Sequence, residues 1–236
     1  MTDTPYLHRH SFDPSLWIFN GYYYNGMRLN WQQGPFIHNY LQRIDQTIKA
    51  SLTDHESLMA VRVDLRLPFQ FDWKSQPDWR PVFDEFIATL KDKIAGYQVG
   101  VEPDQKGLHP TEIRFIWDRE FDHSGDPQYH CALFFHNQAF RRLGKFNAHS
   151  GSLYGLISSA WATAVGRDEH LADGLINTPR KHTYRVKRGE RYDDLFYNLS
   201  YFARLASKRF GLADHNFGTS KLSERSFVTE QGCEDD

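Results

Sequence analysis

The stretch TEIRFIWDREFDHSGDPQYHCALFFH, residues 111–136, decides the fold. Two runs rich in aromatic and apolar residues flank FDHSGDP, whose residues favour turns, so we predict two antiparallel strands joined as a hairpin. Side chains alternate along a strand, which places Gln128 and His130 on one face and Tyr129 and Cys131 on the other. Glu120 ends the first strand and is predicted to lie opposite Gln128.

The rest of the chain supplies a further strand pattern and several helical ones. LMAVRVDLRLP (58–68) alternates apolar residues with Arg62, Asp64 and Arg66, and PRKHTYRVKRG (179–189) is a weaker strand candidate. Apolar spacing predicts helices over about 37–48, 81–94 and 152–165. This mixture predicts an α+β domain with a central antiparallel sheet flanked by helices, spanning residues 35–222. Residues 1–34 are predicted to be an N-terminal extension, and 223–236 an acidic, disordered tail.

Composition limits the possible partners. The 236 residues carry a net charge of only −2, so a nucleic-acid contact would need a local basic patch. Aromatic residues make up 15% of the chain, which suits both a packed core and base stacking. Two distant cysteines, with neither a signal sequence nor a membrane-length apolar run, lead us to expect a cytoplasmic protein without membrane contact.

LFYNLSYFARLASKRFG, residues 195–211, is predicted to be one amphipathic helix. Its core stripe is Leu195, Leu199, Phe202 and Ala206. Tyr197, Tyr201, Arg204 and Lys208 repeat the same spacing on the opposite face. That face can be a solvated surface with tyrosines stacked on basic side chains. Alternatively, a tyrosine beside a cation is an activated nucleophile or a phosphate contact.

Glu120, Gln128 and His130 form a candidate metal site on the hairpin. One carboxylate, one amide oxygen and one imidazole leave coordination positions open and suit Mg²⁺ or Mn²⁺ better than a structural zinc. No other small-molecule cofactor is expected. The alternative is a half-exposed hairpin with polar residues on its wet face.

Three motifs resemble the inovirus gene-two-like family, also called the YagK/YfjJ C-terminal domain family. They are AVRVDLRLP, WDREFDHSGDPQYHCALFFHN, and LFYNLSYFARLASKRFG followed by NFGTSKL, in the family's order over residues 30–222. The family is similar to HUH-type replication initiators, which nick single-stranded DNA through a tyrosine and keep a 5′-phosphotyrosine link.

The resemblance implies that Tyr201 is the nucleophile, that Tyr197 is a second tyrosine, and that Glu120, Gln128 and His130 hold the metal. This chain departs from the family pattern at Gln128, where histidine is usual, and at Arg204, where lysine is usual. Arg204 does not give up a proton readily, so its expected role is to position phosphate or stabilise charge.

Basic residues near these motifs are candidates for contacts with DNA. RKHTYRVKRGER precedes the tyrosine segment and could follow a DNA backbone. Arg62 and Arg66 are expected on the floor of the site, together with Asp64. The full candidate set is Arg62, Arg66, Arg185, Lys187, Arg188, Lys208 and Lys221.

Three functions are therefore open. The first is a nicking and joining enzyme that starts rolling-circle replication on single-stranded or origin DNA. It would work with a separate host helicase, because the sequence has no P-loop. The second is a DNA-binding or regulatory protein that has lost cutting. The third is a metal-dependent nuclease that uses water near His136 and Asn137.

Overall fold

The computed structural model describes residues 6–68, 71–72, 80–99, 111–121, 125–210 and 216–222. Its N-terminal part contains two small sheets. Strands β1 (Tyr6–Arg9), β2 (Trp17–Asn20) and β5 (Phe36–Ile37) form one, and β3 (Tyr23–Tyr24) pairs with β4 (Met27–Arg28) in the other. Asn25 and Gly26 both have positive φ, as a two-residue hairpin turn requires.

The predicted boundary at residues 34–35 falls inside this structure, because β2 pairs with β5 across it. Residues of the supposed extension, such as Leu29, are buried in the same core as Leu41. The predicted tail, 223–236, lies outside the described residues.

Three longer helices form where the apolar spacing predicted them. They are α1 (His38–Asp54), α2 (Arg80–Val99) and α3 (Leu153–Ala164). Leu41, Ile44 and Ile48 are fully buried on α1, as a helical stripe facing the core should be. The fourth helix, α4 (Asp193–Leu199), is much shorter than predicted.

The central sheet is antiparallel at every described strand pair. Its strands are β6 (Ser57–Leu65), β7 (Arg114–Phe121), β8 (Pro127–His136), β9 (Ile176–Asn177), β10 (Thr183–Lys187) and β11 (Phe217–Thr219). The order is β10–β6–β8–β7–β11, and β9 also pairs with β6. The α+β class with an antiparallel sheet between helices is therefore confirmed, as is the hairpin of β7 and β8.

Each face of the sheet covers its own apolar core. Val61 and Cys131 face the core that includes residues of α2 and α3, whereas Ala60 and Ala132 face the core that includes residues of α1 and α4. On this second face the apolar side chains give way to polar ones towards Asp64, so the α4 side of the sheet ends in a polar cluster.

The tyrosine segment is not one helix. After α4, a 3-10 turn covers Ser200–Ala203, and the backbone becomes extended at Arg204. Leu195, Leu199 and Phe202 are buried as predicted, but Ala206 is exposed. A backbone hydrogen bond from Leu205 to Pro35, 2.9 Å long, and a bridge between Arg204 and Phe36 replace the expected helical bonds. Tertiary pairing therefore overrides the local helical pattern.

Candidate active site

The polar cluster is assembled by strand register. Asp64 of β6 and Asp118 of β7 both lie beside His130 of β8, and Glu120 lies beside Gln128. Side chains directly across neighbouring strands come within about 5 Å, so pairing alone gathers these groups. The fold therefore brings together three residues of the sheet that the sequence predicts to be close, namely Glu120, Gln128 and His130.

Glu120 is the hub of the cluster. Its carboxylate accepts hydrogen bonds from two nitrogens of Arg204, from Ser207 Oγ at 2.5 Å and from Lys208 Nζ at 3.3 Å. Burial alone would raise the pKa of the Glu120 carboxyl. The hydrogen bonds from His130 and Arg204 and the charge of Lys208 outweigh burial and hold that pKa far below its usual range.

His130 lies between two carboxylates. Its Nδ1 is 2.6 Å from Asp64 Oδ1, and its Nε2 is 3.4 Å from Glu120 Oε2. Burial alone would lower the pKa of the imidazole, but the contacts with Asp64 and Glu120 raise it to about 9. His130 is therefore a cation at neutral pH.

Lys208 is a buried partner of the carboxylates, not a surface contact. Its side chain is 0% exposed, and its ammonium pairs with Asp118, also 0% exposed, as well as with Glu120. Burial raises the pKa of Asp118 to about 6 even though Lys208 opposes the shift. The sequence predicts that Lys208 contacts DNA. Its position in the structure does not allow this, because the ammonium is paired with buried carboxylates.

Tyr201 reaches the rim of the same cluster. Its hydroxyl donates to Glu120 Oε2 at 3.2 Å, and its partly exposed ring lies under two guanidinium groups. Arg204 is 4.2 Å and Arg62 4.8 Å from the ring centroid. Burial, followed by the negative charge of Glu120, raises the pKa of the phenol above its usual value, although Arg204 opposes the shift. Tyr201 is therefore a neutral hydrogen-bond donor here.

The N-terminal segment completes the site, which the sequence did not indicate. Gln33 accepts a hydrogen bond from Arg204 at 3.0 Å. Asn30 accepts one from the Tyr197 hydroxyl at 3.3 Å, and the Asn30 backbone donates to Ser200 Oγ at 3.1 Å. Asn30 therefore fixes the hydroxyl of Tyr197, which is on the same segment as Tyr201. These partners are about 170 positions apart in the chain, so local pattern could not reveal them.

Asp118 and Ser207 are two further site residues missing from the sequence-based set. Asp118 could have been found, because it alternates with Glu120 on the same strand and must share its face. Ser207 could not, because its contact with Glu120 depends on the chain leaving the helical path after Ala203.

Two of the expected metal ligands make contacts with other protein groups in this structure. Both oxygens of Glu120 are paired with cations, and both ring nitrogens of His130 lie close to carboxylates, Nδ1 at 2.6 Å from Asp64 and Nε2 at 3.4 Å from Glu120. Gln128 is exposed. Among the described residues, no three His, Cys, Asp or Glu side chains are placed to hold a metal ion. A divalent ion at Glu120, Gln128 and His130 stays a prediction from the sequence.

The basic residues preceding α4 are dispersed. Arg185 and Lys187 alternate with the buried Tyr184 and Val186, so they project from the opposite face of β10. Arg185 bonds Asn137 at 3.1 Å. Arg188 instead donates to the carbonyls of Leu52 and Thr53 near the end of α1.

The remaining candidates occupy other places. The guanidinium of Arg62 is in the site and bonds Asn198 at 2.9 Å, whereas Arg66 follows the end of β6, where its carbonyl accepts from Trp161. Lys221 is exposed beyond β11. His136, proposed for a water-based nuclease, is six residues from His130 along β8, about 20 Å away.

The fold and its charged, tyrosine-bearing cluster define an α+β protein with a candidate catalytic site on one sheet face. The chain belongs to the YagK/YfjJ C-terminal domain family, which matches residues 20–220.

Two Escherichia coli (strain K12) proteins described as uncharacterized are similar to this chain. YfjJ is 30% identical over 203 residues, covering 80% of this chain and 96% of YfjJ. YagK is 28% identical over 201 residues, covering 80% of this chain and 95% of YagK. No solved structure matches significantly. Within the described residues, no helix combines the length and apolar character needed to cross a membrane.

Proposed function

We propose that this chain nicks and joins single-stranded DNA through Tyr201 and thereby starts rolling-circle replication of a phage, satellite or mobile element. The contact between the Tyr201 hydroxyl and Glu120, under Arg62 and Arg204, is the observation that carries the proposal. The resemblance to tyrosine-dependent initiators is the reason for proposing DNA as the substrate.

The charge balance of the cluster supports binding of a phosphodiester. With His130 protonated, four positive groups face three carboxylates, so one positive charge remains for an anionic phosphate to neutralise. The carboxylates are Asp64, Asp118 and Glu120, and the cations are Arg62, His130, Arg204 and Lys208. Arg62 and Arg204, which flank the tyrosine ring, are the cations placed to meet phosphate oxygens.

The chemistry then follows from the hydrogen bond of Tyr201. The phenol oxygen attacks phosphorus while its proton passes to solvent. Glu120 accepts the hydrogen bond of the hydroxyl and orients it, but its depressed pKa makes it too weak a base to take the proton. The P–O3′ bond breaks as the new P–O bond forms, and the departing O3′ takes a proton from solvent to give a 3′-hydroxyl. Arg204 and Arg62 stabilise the charge that develops on the phosphoryl oxygens. The covalent 5′-phosphotyrosine keeps the ester bond, so reversal rejoins strands.

A second function is favoured by one observation. The carboxylate of Glu120 accepts hydrogen bonds from Arg204, Ser207 and Lys208. A stable, non-catalytic ion cluster would have the same internal pairing. In that case the chain binds DNA without cutting it. For the nicking function, we propose that a partner helicase unwinds the duplex, since the sequence contains no P-loop.

The test is a covalent-adduct assay on single-stranded DNA from the region that surrounds the coding gene. Wild type should give a detergent-resistant protein–DNA adduct, and Tyr201→Phe should give none. Tyr197→Phe is the matched control, since it removes a hydroxyl from the same segment, and it should still form the first adduct. Binding without an adduct in wild type would support the non-catalytic function, and cleavage that survives in Tyr201→Phe would support the water-based nuclease.

The same assay with and without EDTA tests the predicted Mg²⁺ or Mn²⁺ ion. Adduct formation that persists after chelation would indicate that the resident cations are sufficient for the reaction. Loss on chelation, with recovery on adding Mg²⁺ or Mn²⁺, would instead support the metal at Glu120, Gln128 and His130.

A further inference from the structure

Two of the exposed aromatic side chains of the N-terminal segment contact each other. Tyr22 is 44% exposed and Trp31 is 46% exposed, and their rings meet edge to face with centroids 5.3 Å apart. Neighbouring aromatic residues such as Tyr24 and Phe36 are buried, so this segment also supplies core. We refer to Tyr22 and Trp31 as the aromatic platform.

The platform is attached directly to the candidate active site. Trp31 lies between Asn30, which accepts from Tyr197 and donates to Ser200, and Gln33, which accepts from Arg204. The backbone of Tyr22 is tied to the same unit, because its carbonyl accepts from Leu29 at 2.8 Å. The aromatic pair therefore has a fixed position relative to the tyrosine segment.

The composition around the platform suits an anionic, aromatic ligand. Residues 20–37 contain no Asp or Glu, one arginine, and five Asn or Gln residues. That arginine, Arg28, lies over the ring of Tyr197 at 5.7 Å. The aromatic rings can stack on unpaired bases, and the cation can contact the phosphate backbone. The segment itself has no carboxylate that would repel the phosphates.

We infer that the aromatic platform binds unpaired nucleobases of a single strand next to Tyr201. A base stacks on Trp31 with Tyr22 against its edge, and Arg28 contacts a neighbouring phosphate. The inference rests on the proposed function for the identity of the strand as DNA. Base binding itself does not require the phenol to react.

The experiment measures equilibrium binding of the full chain to a labelled thymidine oligonucleotide of about twenty nucleotides. A second oligonucleotide of equal length carries abasic sites throughout, so it has the phosphates without the bases. Trp31→Ala should weaken thymidine binding about tenfold, the affinity equivalent of one lost base stack. Trp31→Phe should retain most of the affinity, and Tyr97→Ala, which removes a 41% exposed aromatic side chain from α2, should retain it all.

Two results support the inference together. Wild type prefers the thymidine strand over the abasic one, and Trp31→Ala removes that preference while circular dichroism stays native. Equal affinities of Trp31→Ala and Tyr97→Ala for the thymidine strand would overturn the inference.

The proposed function fails separately from the platform. If the platform binds bases but no Tyr201 adduct forms, the inference about the platform holds and the proposed nicking reaction is contradicted. If Trp31→Ala forms the adduct normally and binds the oligonucleotide with unchanged affinity, the inference about the platform is contradicted and the proposed nicking reaction holds.

Discussion

Replacing Lys208 with methionine should destabilise the fold strongly. The substitution keeps the length of the side chain but removes the ammonium that lies between Asp118 and Glu120, all three groups being buried. Removing one partner of a buried ion pair costs about 3–5 kcal/mol, because the other charge is left uncompensated. We expect about 3 kcal/mol at pH 7, at the lower end, because Arg204 still pairs with Glu120.

The double variant Lys208→Met/Asp118→Asn isolates the buried pair. Asparagine leaves no charge for the missing ammonium to balance, so the double variant should be more stable than Lys208→Met alone, with a coupling of about 2 kcal/mol. Urea unfolding followed by circular dichroism measures each free energy. Lys221→Met is the control, and as a surface change it should stay within about 0.5 kcal/mol of wild type.

A loss below about 1 kcal/mol for Lys208→Met would refute this reasoning, because a buried ion pair with a broken partner costs several times more. Strict additivity in the double variant would refute the direct pairing of Lys208 with Asp118. Either result would mean that the amine reaches solvent.

Three further predictions concern stability. Gly218→Ala should cost about 1–3 kcal/mol in thermal unfolding, because its Cβ would lie 2.5 Å from Trp117 Nε1, and an unchanged melting temperature would contradict that packing. The pKa of His130 is raised from 6.5 to about 9, so its stabilisation is complete below pH 6.5 and is lost as pH rises through 9. Wild type should lose up to about 3 kcal/mol over that window and His130→Gln much less, as pH-dependent urea titrations can check. Tyr192→Phe should cost about 1–3 kcal/mol in urea unfolding, because Asp45, which is 4% exposed, loses a 2.5 Å hydrogen bond; a neutral result would mean that water replaces the hydroxyl.

The sheet and the core of the candidate site could be predicted from the sequence because strand alternation is a local pattern. The alternation along β7 and β8 placed Glu120, Gln128 and His130 on one face and predicted their neighbourhood. The contact of Tyr201 with this group was inferred from the resemblance, and the fold contains it.

The details around Tyr201 depend on long-range contacts that no local pattern contains. The helical spacing of residues 195–208 predicted a continuous helix, but Arg204 leaves it to pair with Glu120 and Gln33. For the same reason the spacing predicts an exposed Lys208, which the structure buries, and does not indicate Asn30. Each of these positions is set by a partner more than eighty residues away.

Peptide mapping of the adduct tests the central claim most directly. Trypsin cleaves after Arg191 and Arg204 and releases residues 192–204, one peptide that holds Tyr192, Tyr197 and Tyr201. After nuclease trimming of an adduct formed on single-stranded DNA, fragmentation mass spectrometry identifies the tyrosine that carries the nucleotide. The account predicts a 5′-phosphotyrosine at Tyr201, and an unmodified peptide from protein that has cut the strand would contradict it.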